Sequence, residues 1–213
     1  MYTKDELEAQ KIELEIANLE RQNRQLDLEI LEQDRARQVI ESSSIYRGEF
    51  LFLGQVDELR CHSIAEKMDQ WSQNHPGQPI TMMINSQGGH VTDGLAFYDI
   101  IRDVLAPRGH HIRTVGTGMV ASMGGILLQA GDERLVTRHC RMLIHEVQAL
   151  VAGSFSKLED DMKFNETLQN DCLRILASRS TLSADDIRNR WKHKDWWLNA
   201  QETVDLGFAD RIV

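Results

Sequence analysis

Cysteine is scarce in this sequence, a basic block is missing, and no apolar run is long enough to cross a bilayer. The three cysteines, Cys61, Cys140 and Cys172, lie far apart and form no C-x-x-C pair. They read as thiols in a reducing compartment, not as a disulfide framework. No histidine stands at ligand spacing beside them, which argues against zinc, and no other metal or cofactor site is expected. The formal net charge of −9 comes without any lysine- or arginine-rich block. That leaves nothing to neutralise phosphates, and it disfavours both nucleic acid and an anionic membrane surface. No stretch of about 18 apolar residues occurs, and the acidic, polar start has no signal-peptide core. The expectation is a soluble, cytoplasmic protein. A G-x-x-x-x-G-K-[ST] phosphate loop is also missing, so any ATP hydrolysis would fall to a partner.

Glycine and proline are absent from residues 1–42, which are dominated by Glu, Gln, Leu, Ile and Arg. Ile16, Leu19, Asn23, Leu26 and Ile30 alternate three and four residues apart, and Ile12 and Ile40 extend the stripe. This is an a/d heptad pattern with Asn23 at an a position, interrupted toward its end by Gln33 and Arg37. It predicts a long helix that either packs its stripe on the parent domain or pairs with a copy of itself or a partner. Ser42-Ser43-Ser44 marks its exit. With 213 residues and 41% hydrophobic content, the chain supports one good-sized domain, 43–213, plus this 1–42 coiled-coil-like extension.

From Phe50 onward short apolar runs alternate with helical patterns. Strands are predicted at Phe50–Leu53, Ile80–Ile84, His111–Gly116, near 134–137, and at Met142–Ile144. Helices are predicted from Asp57 to about Gln73, Val91 to Leu105, Ser154 to about Ser178, Ser183 to Trp191, and Ala200 to Leu206. Pro107-Arg108-Gly109 stops the second of them. Repeated strand–helix–strand units imply an α/β fold whose largely parallel sheet is flanked by helices. Such sheets bind ligands at the carboxyl ends of their strands.

Chemistry-bearing residues collect at those ends. Asn85-Ser86-Gln87-Gly88-Gly89 follows the second strand, and its paired glycines offer backbone N–H groups at close range, as an oxyanion hole or a peptide-binding edge. Ser122, in Ala121-Ser122-Met123-Gly124, stands between a strand and a helix; alone it would pass as a helix N-cap. His145 closes Met142-Leu143-Ile144, where a histidine is often only a hydrogen-bonded residue at the core's edge. Asp195 precedes Trp196-Trp197-Leu198 and would pass as a turn aspartate. Taken together they supply a nucleophile, a base and a carboxylate to orient the base. Spacing alone leaves Asp93, Asp99 and Asp103 open as that carboxylate. Trp191, Trp196 and Trp197 read as packing residues of the carboxy-terminal helices or a subunit interface.

Residues from about Phe50 to Val213 resemble ClpP, the self-compartmentalising serine peptidase family with a crotonase-like fold. The resemblance is collinear. It rests on Leu53-Gly54-Gln55-Val56, Ile84 to Gly89, Gly94 to Asp99, Ala121 to Gly124, Met142 to His145 and Asp195 to Ala200, followed by Glu202, Gly207 and Asp210. It implies Ser122 as nucleophile, His145 as general base and Asp195 as its orienter, with the Gly88 and Met123 amides as oxyanion hole and Gly89 on the substrate edge. It also implies a homo-oligomer of heptameric or stacked rings, peptide or unfolded-protein substrates, and a Clp-type ATPase as a possible partner. Ser86-Gln87-Gly88-Gly89 and His145-Glu146-Val147 replace the family's Ser-Pro-Gly-Gly and His-Gln-Pro. The helical extension replaces a short axial-loop segment, and the strand after the histidine is thin, Ala149 to Gly153. Rival readings are an inactive scaffold subunit, a phage-type capsid- or scaffold-processing peptidase, a serine–lysine dyad with Lys157, and acyl-CoA hydratase chemistry on the same fold.

Overall fold

The computed structural model describes residues 15, 16, 18–32, 45, 47–192 and 194–213. Ile12, Gln33, Arg37, Ile40 and Ser42-Ser43-Ser44, on which part of the heptad reading rests, lie outside the described residues. The chain divides into two compact units, Met1–Ser44 and Ile45–Val213. In the first, residues 18–32 are helical, and each of them is exposed.

The second unit is built on a seven-stranded sheet: β1 (Glu49–Val56), β2 (Ile80–Gly89), β3 (Ile112–Ala121), β4 (Glu133–Val136), β5 (Arg141–Ile144), β6 (Trp196–Leu198) and β7 (Arg211–Ile212). The main path runs β1-β2-β3-β4-β7, all parallel. On the edge away from β2, strand β3 serves two neighbours. Its first half, Arg113–Gly116, pairs with β4, and its last residues, Met119–Ala121, pair with β5. Between the halves lies Gly118 at φ +62, a conformation that costs glycine little. Strands β1 and β2 also shift register at the same level, after Leu53 and Ile84. The three strands are thus irregular at one level, where a bulge locally raises the twist.

The helices are α1 (Glu58–Asn74), α2 (Val91–Asp99), α3 (Met123–Leu128), α4 (Phe155–Ser178), α5 (Ala184–Trp191) and α6 (Ala200–Asp205). Asp57 caps α1, accepting from the Arg60 N–H, and Cys61, Ile64, Ala65, Met68 and Trp71 make its buried stripe. Helix α2 runs on through a π-helical turn (Ile100–Leu105) and a 3₁₀ turn (Ala106–Arg108) to Gly109 at φ +90, so the proline and glycine end it as expected. Capping boxes begin α5 and α6, from Ser183 with Asp186 and from Asn199 with Glu202.

Phe52 stacks on Phe97 at 5.6 Å between ring centres, and Met68, Ile84, Ile101 and Leu127 are fully buried around them. Removing such a side chain costs about 3–5 kcal/mol for a phenylalanine. Arg134, on β4, is almost wholly buried. It donates to both Asp210 carboxylate oxygens and to the carbonyl of Gly207, which fastens the carboxy-terminal segment to the sheet.

Three expectations change. Strand β2 runs to Gly89, taking in the Asn85–Gly89 segment read as a loop. Strands β6 and β7 were not foreseen. The stretch Ala149–Gly153 forms no strand; residues 145–151 have no regular structure. Ala149-Leu150-Val151-Ala152 lacks a neighbouring strand in this unit to supply hydrogen-bond partners among the described residues.

Candidate active site

Helix α3 starts immediately after β3, and Ser122 is the single residue between them. Its φ of +54 and ψ of −122 make it the only non-glycine residue with positive φ among the described residues. The turn is held by backbone bonds on both sides. The Ser122 N–H donates to the Leu143 carbonyl at 2.9 Å, and its own carbonyl accepts from Gly125 N at 2.9 Å. Although Ser122 occupies the N-cap position, its hydroxyl makes no capping bond. The capping explanation for this serine therefore fails. Holding a β-carbon-bearing residue at this conformation costs on the order of 1–3 kcal/mol, and what the strain achieves is a half-buried hydroxyl facing a cleft.

That cleft has a volume of about 440 Å³. Its floor is apolar, made by Met123, Ile126, Met142, Ile144, Cys172, Leu176 and Trp191; Ser122, His145, Gln55, Gln87, Gly88 and Gly89 stand around it. Cys172 is buried against the Met123 sulfur at 3.9 Å, and burial raises its thiol to about 12. As a thiol that stays protonated at neutral pH it is floor material rather than a nucleophile.

Two registers bring the remaining groups together. In the parallel β3–β5 pair, Ala121 faces Leu143, so Ser122 and His145 emerge from adjacent strand ends. In the antiparallel β5–β6 pair, Ile144 faces Trp196. The next pair in that register is His145 with Asp195, and the His145 Nδ1 to Asp195 Oδ1 distance is 3.9 Å. Asp195 lines a neighbouring depression together with His145, Glu146 and Lys194, and 3.9 Å is too long for a hydrogen bond. None of the rival carboxylates lines the cleft or the depression beside it. Asp93 bonds His90 at 3.0 Å, and Asp99 and Asp103 lie on α2 and its π-helical continuation.

A second group competes for the imidazole. Gln148 Nε2 lies 3.4 Å from His145 Nδ1, nearer than Asp195. Nδ1 accepts from an amide N–H only when its own proton is absent, whereas a bond to Asp195 needs Nδ1–H. The loop bearing Gln148 is tied to α4 by the Val147 N–H, which donates to Gln169 Oε1 at 3.1 Å. Nothing in the sequence pattern pointed to Gln148.

The glycines behave differently from one another. Gly88, at φ +94, lies so close to the elbow that an added Cβ would stand 2.6 Å from Ser122 Cβ and 3.2 Å from the Met123 nitrogen. Its N–H donates to the buried Ser86 hydroxyl at 3.0 Å. The Met123 N–H heads the first turn of α3, where helix geometry provides no acceptor. Gly89 packs on β1: an added Cβ would meet the Val56 carbonyl oxygen at 2.1 Å. Its lack of a side chain is thus explained by strand approach.

The other residues singled out in the sequence take structural roles. Lys157 binds Asp161 on its own helix at 2.9 Å. His110 is buried between the Ser72 hydroxyl and the Gln78 carbonyl, both at 2.7 Å. Trp191 belongs to the core, and Trp196 sits edge-on to Phe208 with Arg190 over its ring. Trp197 is 47% exposed. No metal-binding group of His, Cys, Asp and Glu occurs among the described residues, and none of their helices is long and apolar enough to cross a membrane.

A parallel sheet flanked by helices, split at β3 so that a helix and a cleft face its upper ends, is the crotonase-like architecture of the ClpP fold. The Clp protease family profile matches residues 32–213. A Bacteroides fragilis protein named ATP-dependent Clp protease proteolytic subunit is 30% identical over 176 residues, covering 80% of this chain and 82% of that protein. Proteins named ATP-dependent Clp protease proteolytic subunit 2 match as well. The one from Tropheryma whipplei is 32% identical over 165 residues, covering 76% and 89%, and the one from Nocardia farcinica 32% over 184, covering 81% and 86%. The chain belongs to the Clp protease family.

Proposed function

We propose that this protein is a serine endopeptidase that cleaves peptides or unfolded polypeptides inside an oligomeric chamber. The observation that carries the reading is the Ser122 elbow: a strained, uncapped serine whose hydroxyl shares a cleft with His145.

In this mechanism the Ser122 oxygen attacks the scissile carbonyl carbon while His145 takes its proton. His145, now cationic, gives that proton to the leaving amine as the C–N bond breaks. Water then attacks the ester, passes a proton to His145, and Ser122 recovers its hydrogen as the acid departs. Asp195 holds His145 with Nδ1 protonated, for which the 3.9 Å gap closes and Gln148 yields. The Met123 N–H and the Gly88 N–H, released from Ser86, stabilise the tetrahedral oxyanion. Losing one such donor costs on the order of a hundredfold or more in rate. The apolar floor receives a substrate side chain next to the cleaved bond, and Gly89 lies along the substrate edge.

Assembly into heptameric or stacked rings is supported by apolar groups left uncovered in the single chain: Leu150 at 100%, Phe155 at 93% and Met162 at 65% exposure. The names of the relatives support a Clp-type ATPase as the source of unfolded chains. Peptide hydrolysis by the purified oligomer tests the reading. Activity in the wild type and its loss in Ser122→Ala and in His145→Ala are expected. Activity unchanged in both variants would assign the cleft another chemistry.

A further inference from the structure

The helix at residues 18–32, with Glu15 and Ile16 also helical, leaves its apolar row uncovered. Ile16, Leu19, Leu26 and Ile30 are each more than half exposed. They follow the a/d spacing with Asn23 at a central a position. Isoleucine at a, leucine at d and one asparagine at a is the combination that favours two parallel strands.

The edges of that seam decide who the second strand is. In this register the flanking e and g positions are Glu15, Glu20, Gln22, Asp27 and Glu29, all exposed. Among the described residues the cations stand away from the seam, Arg21 at f and Arg24 at b, and Arg24 pairs with Glu20 at 4.0 Å. By sequence spacing alone the pattern continues on both sides through Glu6, Glu8, Glu13, Asp34 and Glu41; no e or g position from 6 to 41 carries Lys or Arg. Leu28 and Leu31 are exposed too, but they fall at f and b, where Arg21 and Arg24 interrupt any second row.

Two copies of this helix cannot satisfy those edges. In a parallel pair each g residue faces the following e residue of the other strand, so Glu15 would meet Glu20 and Gln22 would meet Asp27. In an antiparallel pair e faces e and g faces g, where every position among the described residues but Gln22 is an acid. Like charges at these positions oppose pairing, and opposite charges select it.

We propose that this segment is a docking helix for a different polypeptide. The partner is an amphipathic helix with its own 3–4 apolar repeat, a polar residue opposite Asn23, and Lys or Arg along both edges. The seam supplies the apolar contact, and the acidic edges exclude self-pairing. The site lies on the amino-terminal unit and stands whether or not the cleft hydrolyses peptides.

The test uses the full-length protein and two synthetic parallel-heptad peptides long enough to span residues 6–41. Both carry Ile at a, Leu at d and one central Asn at a; one has Lys at every e and g, the other Glu. Fluorescence anisotropy should show the Lys-edged peptide binding at least about tenfold tighter than the Glu-edged one. The difference should shrink at about 1 M salt, where screening reaches about 3 Å. The fourfold variant Glu15→Lys, Glu20→Lys, Asp27→Lys, Glu29→Lys, checked for helicity by circular dichroism, leaves acids and lysines nearly balanced along the edges and should erase the preference that the wild-type protein shows. For the wild-type protein, equal binding of both peptides, tighter binding of the Glu-edged one, or binding of neither overturns the proposal. The last result is also what occupation of the seam by a second copy of the chain would give.

Discussion

Replacing Ser122 by glycine and, separately, by alanine separates the elbow's strain from its hydroxyl. Both variants lose the nucleophile. Alanine keeps a β-carbon at φ +54 and ψ −122, so it keeps the strain, on the order of 1–3 kcal/mol. Glycine adopts positive φ freely, yet adds backbone freedom to the unfolded chain worth about 0.5–1 kcal/mol. Glycine should therefore come out ahead of alanine by about 1 kcal/mol. For a unit the size of 45–213 that corresponds to a thermal midpoint about 2–4 °C higher. Urea unfolding followed by circular dichroism measures the difference directly, with peptide hydrolysis confirming that both variants are inactive. An alanine variant as stable as glycine, or more so, would refute the claim that the fold holds this residue in a costly conformation.

Gly88→Ala should destabilise the unit by about 2–4 kcal/mol, because its Cβ would stand 2.6 Å from Ser122 Cβ and 2.8 Å from the Ala121 oxygen. Peptide hydrolysis should fall with it by about a hundredfold, and near-wild-type values in both assays would contradict the close packing at the elbow. Gln148→Leu removes the competitor for His145 Nδ1 and should raise kcat/KM by about threefold or more; an unchanged or lower value would show that Gln148 does not hold the imidazole back. Burial pushes the Asp210 carboxyl up, but hydrogen bonds from Arg134 and the charges of Arg134 and Arg179 outweigh it and leave it below its ordinary 3.8. A lowered carboxyl contributes stability that is complete above the unfolded value and lost as pH falls through the folded one. Acid unfolding should thus steepen below about pH 4, and Asp210→Asn should flatten that limb; an identical acid limb in the variant would refute the linkage.

Most of the fold was legible where apolar runs and caps agree. Asp57, Ser154 and Ser183 cap the helices expected after them, and Pro107-Arg108-Gly109 ends its helix. What escaped the sequence depends on pairing. Trp196-Trp197-Leu198 is too short to announce a strand, and it becomes one because β5 offers an antiparallel edge. That same register brings Asp195 opposite His145, a juxtaposition that sequence spacing, which left Asp93, Asp99 and Asp103 equally open, does not reveal. The strand character of Asn85–Gly89 was hidden by its polar and glycine residues, which pair on both sides with β1 and β3. Of the candidate site, Ser122 and His145 were readable as residues at strand ends. The bond from Gly88 N–H to Ser86, and the reach of Gln148, are matters of side-chain geometry that no spacing encodes.

Covalent labelling bears most directly on the claim that Ser122 is an activated nucleophile. The assembled full-length protein is treated with a fluorophosphonate, digested, and mapped by mass spectrometry. The account predicts one adduct, on the peptide carrying Ser122, absent from Ser122→Ala and strongly reduced in His145→Ala. An unlabelled Ser122 in protein that has assembled, or an adduct on a different serine, would contradict it.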